Sequence, residues 1–323
     1  MKLEPAATAR EDHGAPTRIP VNTRLVTTKD LLWMLYLFPL RLLARAIPPR
    51  GLYTLGRMLA PPFRLTVRTQ RQRARAWMGE AFPAGTPPEA LDRAANQFVD
   101  RAVLRALDDL HLSRPRAADR LPAPEIEGRE HLDEALAAGR GVLLVSGHFY
   151  ANRLAKLHLR REGYPVMSVR NARPPDRWMG RLGRSLLQPR YIQFLHGVIR
   201  DEVHTQDPQC TLKIFQRLRS GGIVNVHIDA AFASHRQELP FLGRKRRFGT
   251  GLLEIIRLSS CTVLPMECHG NQRHVRIRFG APIGFTPSAG RQEFVDNNLP
   301  LLKRRLEEMI LTRPEEWELW ARL

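Results

Sequence analysis

The chain has 323 residues, 43% of them hydrophobic and 26% charged, which is apolar material enough for one large core or two small ones and excludes a disordered polycation. Lys and Arg total 51 against 32 Asp and Glu, and the formal net charge of +19 at pH 7 points to an anionic partner. Three cysteines exclude a disulfide framework, their spacing matches no zinc ribbon or finger, and no run of about 18 apolar residues is present to cross a bilayer.

Residues 1–28 are polar, Pro-containing and without periodicity, and are expected to form a flexible tail. Leu31 to Leu40 follows as a nearly continuous apolar run, closed by Arg41-Leu-Leu-Ala-Arg45. At roughly 10–14 apolar residues it is too short to span a membrane comfortably and suits an interfacial or re-entrant segment, with Trp33 and Tyr36 at headgroup level; a buried core helix is the alternative. From Leu31 to Gly79 there is no acidic residue and there are nine Arg, so this stretch is expected to face an anionic surface or polymer. An anionic bilayer accounts for the apolar run as well as the missing acids. No nucleic-acid partner is expected, because Arg64 to Arg75 has little beyond Phe63 and Trp77 for bases to stack on.

Pro87-Pro88-Glu89 opens a helix whose apolar face carries Leu91, Ala94, Phe98, Ala102, Leu104, Leu107 and Leu110. Arg114 to Pro124 reads as a connector. Beyond it, short apolar runs at 142–146, 166–169, 222–228, 262–268 and 275–279 predict strands, and helices are predicted at 150–161, 176–187, 210–219, 251–259 and 291–311. Strands separated by helical segments imply an α/β fold with a mostly parallel central sheet flanked by helices, joined to an N-terminal helical, membrane-associating part. The organisation is therefore a tail (1–28), a basic and apolar helical region (29–120), and an α/β domain (121–323) continuous with it.

In such sheets the ligand lies beyond the carboxyl ends of the strands, and two polar clusters fall there: Ser146-Gly147-His148-Phe149-Tyr150 and Asp229-Ala-Ala231. His148, after a glycine that permits a sharp turn, is a candidate general base of near-neutral pKa, although a strand-end His is also a common structural residue. Asp229 is suited to orient an imidazole or bind a hydroxyl, and equally to cap a turn. Cys261, Cys268, His269 and His274 match no metal-ligand spacing, so no metal is expected. Trp317 and Trp320 are expected to pack the C-terminal segment onto the core.

Six pieces occur in a familiar order: Gly141-Val-Leu-Leu-Val-Ser-Gly-His148, Gly221 to Asp229, Pro240-Phe-Leu-Gly243, Arg247-Phe-Gly-Thr-Gly251, Val263-Leu-Pro265 and Arg313-Pro-Glu-Glu-Trp317. Together with the N-terminal apolar run, they make the sequence resemble the bacterial lipid A late acyltransferases, the lauroyl and myristoyl transferases of the lysophospholipid acyltransferase superfamily, from about Leu32 to Trp317. The resemblance implies an enzyme that moves a fatty acyl group from an acyl carrier protein or coenzyme A thioester to a hydroxyl of a lipid or glycolipid, with His148 as base. It implies no cofactor beyond the acyl donor, acyl carrier protein and anionic membrane lipid or glycolipid as partners, and the cytoplasmic face of a bacterial inner membrane as location. Gly249, within the matching pieces, Tyr150, in the polar cluster that follows the strand at 142–146, and Arg170, where the family carries a basic residue, are expected substrate contacts. Arg173, Arg177, Arg181 and Arg184 suggest a cationic helix edge.

The departure from the family is sharp. Its motif places Asp or Glu five positions after the His to orient the imidazole, whereas here His148-Phe-Tyr-Ala-Asn-Arg153 puts Arg in that place. Three accounts stand open: Asn152 orients His148 through its amide oxygen, Asp229 or another carboxylate arrives from elsewhere in the fold, or acyl transfer has been lost and the chain binds lipid or acyl carrier protein without turnover. Arg153 itself is a candidate anion clamp.

Overall fold

The computed structural model describes residues 22–112, 119, 121–171, 179–196, 201–230 and 235–322. The N-terminal part is helical: α1 (Thr28–Leu35), a π-turn (Tyr36–Leu40), α2 (Arg41–Ala46), α3 (Pro49–Thr66), α4 (Arg68–Ala81) and α5 (Pro88–Leu112). Thr27 and Asp30 form a reciprocal capping box that starts α1. Proline, which cannot donate to the helix ladder, falls inside the π-turn at Pro39 and at the first turns of α3 and α5, and the pair Pro61-Pro62 lies inside α3, in its last two turns.

Two expectations about this region are corrected. Part of the acid-free Arg run meets the protein's own acids: Arg64 Nε donates to Asp100 Oδ1 at 2.8 Å and Arg75 Nε to Asp92 Oδ1 at 2.8 Å, both acids lying on α5. Trp33 and Tyr36 do not stand free as interfacial anchors. Trp33 packs edge-to-face on Tyr191 at 4.4 Å, and the Tyr36 hydroxyl donates to Ala106 O at 2.8 Å. The exposed apolar groups instead include Leu31, Leu32, Leu35, Phe38, Leu42 and Leu43, with Met58, Leu59 and Leu65 of α3. Among the described residues, no helix is long and apolar enough to cross a membrane.

The α/β part is built on a seven-stranded sheet in the order β1-β9-β8-β2-β5-β3-β4. Its strands are β1 (Glu125–Glu127), β2 (Val142–Ser146), β3 (Val166–Arg170), β4 (Glu202–His204), β5 (Ile223–His227), β8 (Thr262–Asn271) and β9 (His274–Phe279). All neighbours are parallel except β8 and β9. The flanking helices are α6 (Arg129–Ala137), α7 (Asn152–Arg161), α8 (Gln188–His196), α9 (Cys210–Arg219), α10 (Gly251–Ser259) and α11 (Arg291–Thr312). The helix predicted at 176–187 begins instead at Arg181, after the non-helical Met179 and Gly180, and runs through a π-turn at Gly183–Leu187 to His196; residues 176–178 lie outside the described ones, as do Arg173, Arg177 and most of the 114–124 connector.

A separate hairpin, β6 (Arg236–Phe241) and β7 (Arg244–Gly249), has no counterpart among the predicted strands because its residues are mostly polar and half-exposed. Its two-residue turn places Leu242 at φ 48° and Gly243 at φ 80°, the left-handed pair that matches hairpin twist. A Cβ on Gly243 would lie 2.6 Å from Glu80 O, so only glycine lets the turn press onto α4, where the Trp77 indole N–H donates to Leu242 O at 2.9 Å.

Candidate active site

β2 is buried along its whole length between β5 and β8, and its parallel register aligns Ser146 with His227. Two residues further along each chain, His148 and Asp229 leave the sheet side by side. The Asp229 carboxylate then engages His148 twice, accepting from the backbone N–H into Oδ2 at 2.8 Å and contacting Nδ1 of the ring with Oδ1 at 2.6 Å. The Trp317 indole N–H holds Oδ2 from the other side at 2.7 Å. Asp229 is 1% exposed, while the His148 side chain keeps 33% of its surface open.

Burial pushes the Asp229 carboxyl up, but the His148 imidazole and its hydrogen bonds outweigh that and hold it well below the usual carboxylate range. Burial likewise pushes the His148 imidazole down, and the Asp229 carboxylate more than restores it, leaving it above the ordinary histidine value. With Nδ1–H committed to Asp229, Nε2 is the basic nitrogen.

The neighbourhood of His148 is strapped by the C-terminal segment. Tyr150 N donates to Glu316 O at 2.9 Å and Glu318 N to His148 O at 2.8 Å, so residues 316–318 run alongside 148–150. Two arginines of α5 secure that strap, Arg101 on Glu316 at 3.0 Å and Arg105 on Glu318 at 2.6 Å. Gly147 leaves no room for a side chain: a Cβ would sit 2.8 Å from Leu306 Cδ1 and 3.3 Å from Asp229 Oδ2. Its φ is not left-handed, so glycine serves here by its small size and not by the sharp turn expected of it.

The remaining expected site residues divide. Asn152 does not reach His148: its amide N–H groups go to Gly147 O at 2.7 Å and His227 Nε2 at 3.1 Å, and its oxygen accepts from the Cys268 thiol at 2.7 Å. Arg153 turns away from the site into an ion pair with Asp109 of α5, both side chains largely buried, so an anion clamp at that position is not what the geometry provides. Tyr150 is buried with its ring under the Arg105 guanidinium, 5.7 Å from the centroid, a packing position and not an open contact. Arg170 ends β3 and bonds Glu202 at 2.7 Å, next to buried Lys156, whose ammonium is pushed down to about 8 by burial and by the Arg170 charge. Gly249 lines a cavity of about 480 Å³ with Ile214, Val226, His227, Ile228 and Phe248.

Three groups have no place in the sequence-based site. Trp317 is there only as a packing residue, and nothing in the spacing of 229 and 317 announces their hydrogen bond. Arg246, on the missed hairpin, donates to Asp229 O while its guanidinium is enclosed by Phe241, Phe248 and Trp317. His227 packs its ring edge-to-face against His148 at 4.4 Å, and its one sequence signal is adjacency to Asp229 on a strand end.

A family model, bacterial lipid A biosynthesis acyltransferase, matches residues 20–322. No curated protein matches the chain. Among solved structures, the 1-acyl-sn-glycerophosphate (LPA) acyltransferase PlsC from Thermotoga maritima is similar at 14% identity over 74% of this chain and 96% of that one, with a TM-score of 0.33.

Proposed function

The chain belongs to the bacterial lipid A biosynthesis acyltransferase family and is an acyltransferase; from that premise we propose that it moves a fatty acyl group from an acyl carrier protein or coenzyme A thioester to a hydroxyl of a lipid or glycolipid, with His148 as general base and Asp229 orienting it. The observation that carries this reading is the 2.6 Å contact between His148 Nδ1 and Asp229 Oδ1, which leaves Nε2 as the base. Nε2 takes the proton as the acceptor oxygen attacks the thioester carbonyl. The C–S bond then breaks, and the leaving thiolate recovers the proton from the imidazolium. The cavity has an apolar part, formed by Ile214, Val226, Ile228, Phe248, Leu252 and Ile255, that fits an acyl chain, and a polar rim that includes Gln206, Asp207 and Lys303. Arg170 and Lys156 bring two cations against Glu202 at the end of β3, a charge excess suited to a phosphorylated headgroup.

A chain that binds without turning over is the competing reading. Its premise is the Arg at position 153, and that premise weakens because Asp229 supplies the carboxylate from another strand. The exposed leucines of α1 and α2 and the cationic α3–α4 region, where Arg57, Arg68 and Arg73 make no ion pair among the described residues, fit the anionic cytoplasmic leaflet of an inner membrane and an acidic carrier protein.

The test is acyl transfer from a labelled acyl carrier protein thioester to a total lipid extract by wild type, His148→Ala and Asp229→Asn. Transfer by wild type that both variants lose, with a labelled lipid product, is expected. A folded wild type silent across carrier-protein and coenzyme A donors of several chain lengths would instead establish the binding role.

A further inference from the structure

The hydrogen bonds behind His148 fix the tautomer of a second histidine. Cys268 is 1% exposed, and burial pushes its thiol up, so it keeps its proton and donates to Asn152 Oδ1. That assigns the two ends of the amide. The Asn152 nitrogen accordingly donates to Gly147 O, which can only accept, and its other hydrogen is left for His227 Nε2 at 3.1 Å. A ring that accepts at Nε2 carries its single proton on Nδ1. Burial, with the His148 imidazole beside it, holds His227 far below the ordinary histidine value, so the ring is neutral across the working range.

This Nδ1–H has no hydrogen-bond partner among the described residues, and His227 lines the 480 Å³ cavity while its ring contacts that of His148. His148 does not itself line the cavity, and His227 is the residue that touches both; on the reading above, with the acyl chain in the cavity and the attacking hydroxyl at His148, the thioester carbonyl comes beside His227. We propose that His227 is a catalytic residue of the transfer, donating its Nδ1–H to the thioester carbonyl oxygen as negative charge develops there, with Asn152 and Cys268 as positioning residues that hold the required tautomer. As the acceptor oxygen adds to the carbonyl carbon, the C=O electron pair moves onto oxygen and is held by this N–H. It returns when the C–S bond breaks, with no net change at His227. A neutral donor suits the place, because a second imidazolium would oppose protonation of His148 during the reaction.

The inference rests on the acyl-transfer reading above, and the experiment separates the two. Transfer kinetics are compared for wild type, His227→Phe, which keeps a ring against His148 but has no donor, and His227→Asn, whose amide N–H lies near the position of Nδ1–H. His227→Phe is expected to lower kcat about 10²–10³-fold with KM for the donor unchanged, and His227→Asn to recover most of that loss. Full kcat in His227→Phe, a change confined to KM, or an Asn variant no better than Phe would overturn the donor role while leaving the transfer reaction standing. A wild type without transfer would remove both. Should the Phe variant not fold, the ¹⁵N shifts of histidine-labelled wild type decide: an Nδ1–H neutral tautomer for His227 is expected, and an Nε2–H tautomer or an imidazolium at pH 7 would overturn the proposal.

Discussion

As the proposed base, His148 acts only when neutral, and the Asp229 carboxylate holds its pKa above the ordinary histidine value of 6.5. The rate of acyl transfer is therefore expected to rise with pH through a midpoint above 6.5. Asp229→Asn removes the raising charge, so the midpoint should move to lower pH while the maximal rate falls by up to about 10⁴-fold, the loss seen when a serine hydrolase triad loses its carboxylate. A rate profile that does not move on this substitution would show that Asp229 is not the group His148 feels. Arg153 makes the opposite kind of prediction. It meets Asp109 and not His148, so Arg153→Met strands a buried carboxylate and should cost about 3–5 kcal/mol of stability by thermal or urea denaturation, with the rate per folded molecule preserved. Arg153→Glu places two carboxylates together and should lower the yield of folded protein further, giving no gain of activity. At this scale His148 was legible from a strand followed by Gly-His. Its partner was legible only as one of several alternatives, because Asn152 lies four residues away in sequence and Asp229 eighty-one, and only the fold brings the distant one to 2.6 Å.

Each element places the site through a different constraint. β2 and β5 are adjacent and parallel, which is why the residues two beyond Ser146 and His227 emerge together. The C-terminal strap completes the arrangement, with the Trp317 N–H on Asp229 and the backbone of Glu318 on His148. Trp317→Phe keeps the ring that packs on Trp77 and Trp320 and deletes one buried hydrogen bond, so a stability loss of about 1–3 kcal/mol with a lower kcat is expected. Unchanged kcat in that variant would mean that the two contacts with His148, backbone N–H and ring, suffice to hold the carboxylate. Gly147→Ala would drive its Cβ onto Leu306 Cδ1 at 2.8 Å and crowd Asp229 Oδ2, and activity should drop more than stability because Leu306 can yield and the carboxylate is tied on two sides. The apolar runs that became β2, β3, β5, β8 and β9 were readable from composition, as was α5 from its Pro-Pro-Glu start. The hairpin β6–β7 was not, since its residues alternate too little in polarity and its order comes from packing on α4 and α11.

Over the whole molecule, the exposed leucines of α1 and α2 lie in a stretch without a single acid, and this predicts binding to vesicles containing phosphatidylglycerol that weakens as salt shortens the screening length. Leu31→Glu with Leu35→Glu should abolish that binding in a sedimentation assay while leaving transfer to a detergent-dispersed acceptor. Equal binding of wild type to neutral phosphatidylcholine vesicles would refute the electrostatic part. Here too, tertiary structure redistributed what the sequence supplied, because α5 neutralises Arg64 and Arg75 and Tyr191 covers Trp33. The sequence by itself determined the α/β class, the helical N-terminal region, the family resemblance and the choice of His148 as the candidate base, since each depends on local periodicity or on short contiguous motifs. The partner of that histidine, the inward turn of Arg153, the indole on Asp229 and the Asn152 bond to His227 were decided by tertiary structure alone. They depend on strand order and on contacts between residues far apart in the chain, and no local pattern encodes which strand becomes whose neighbour.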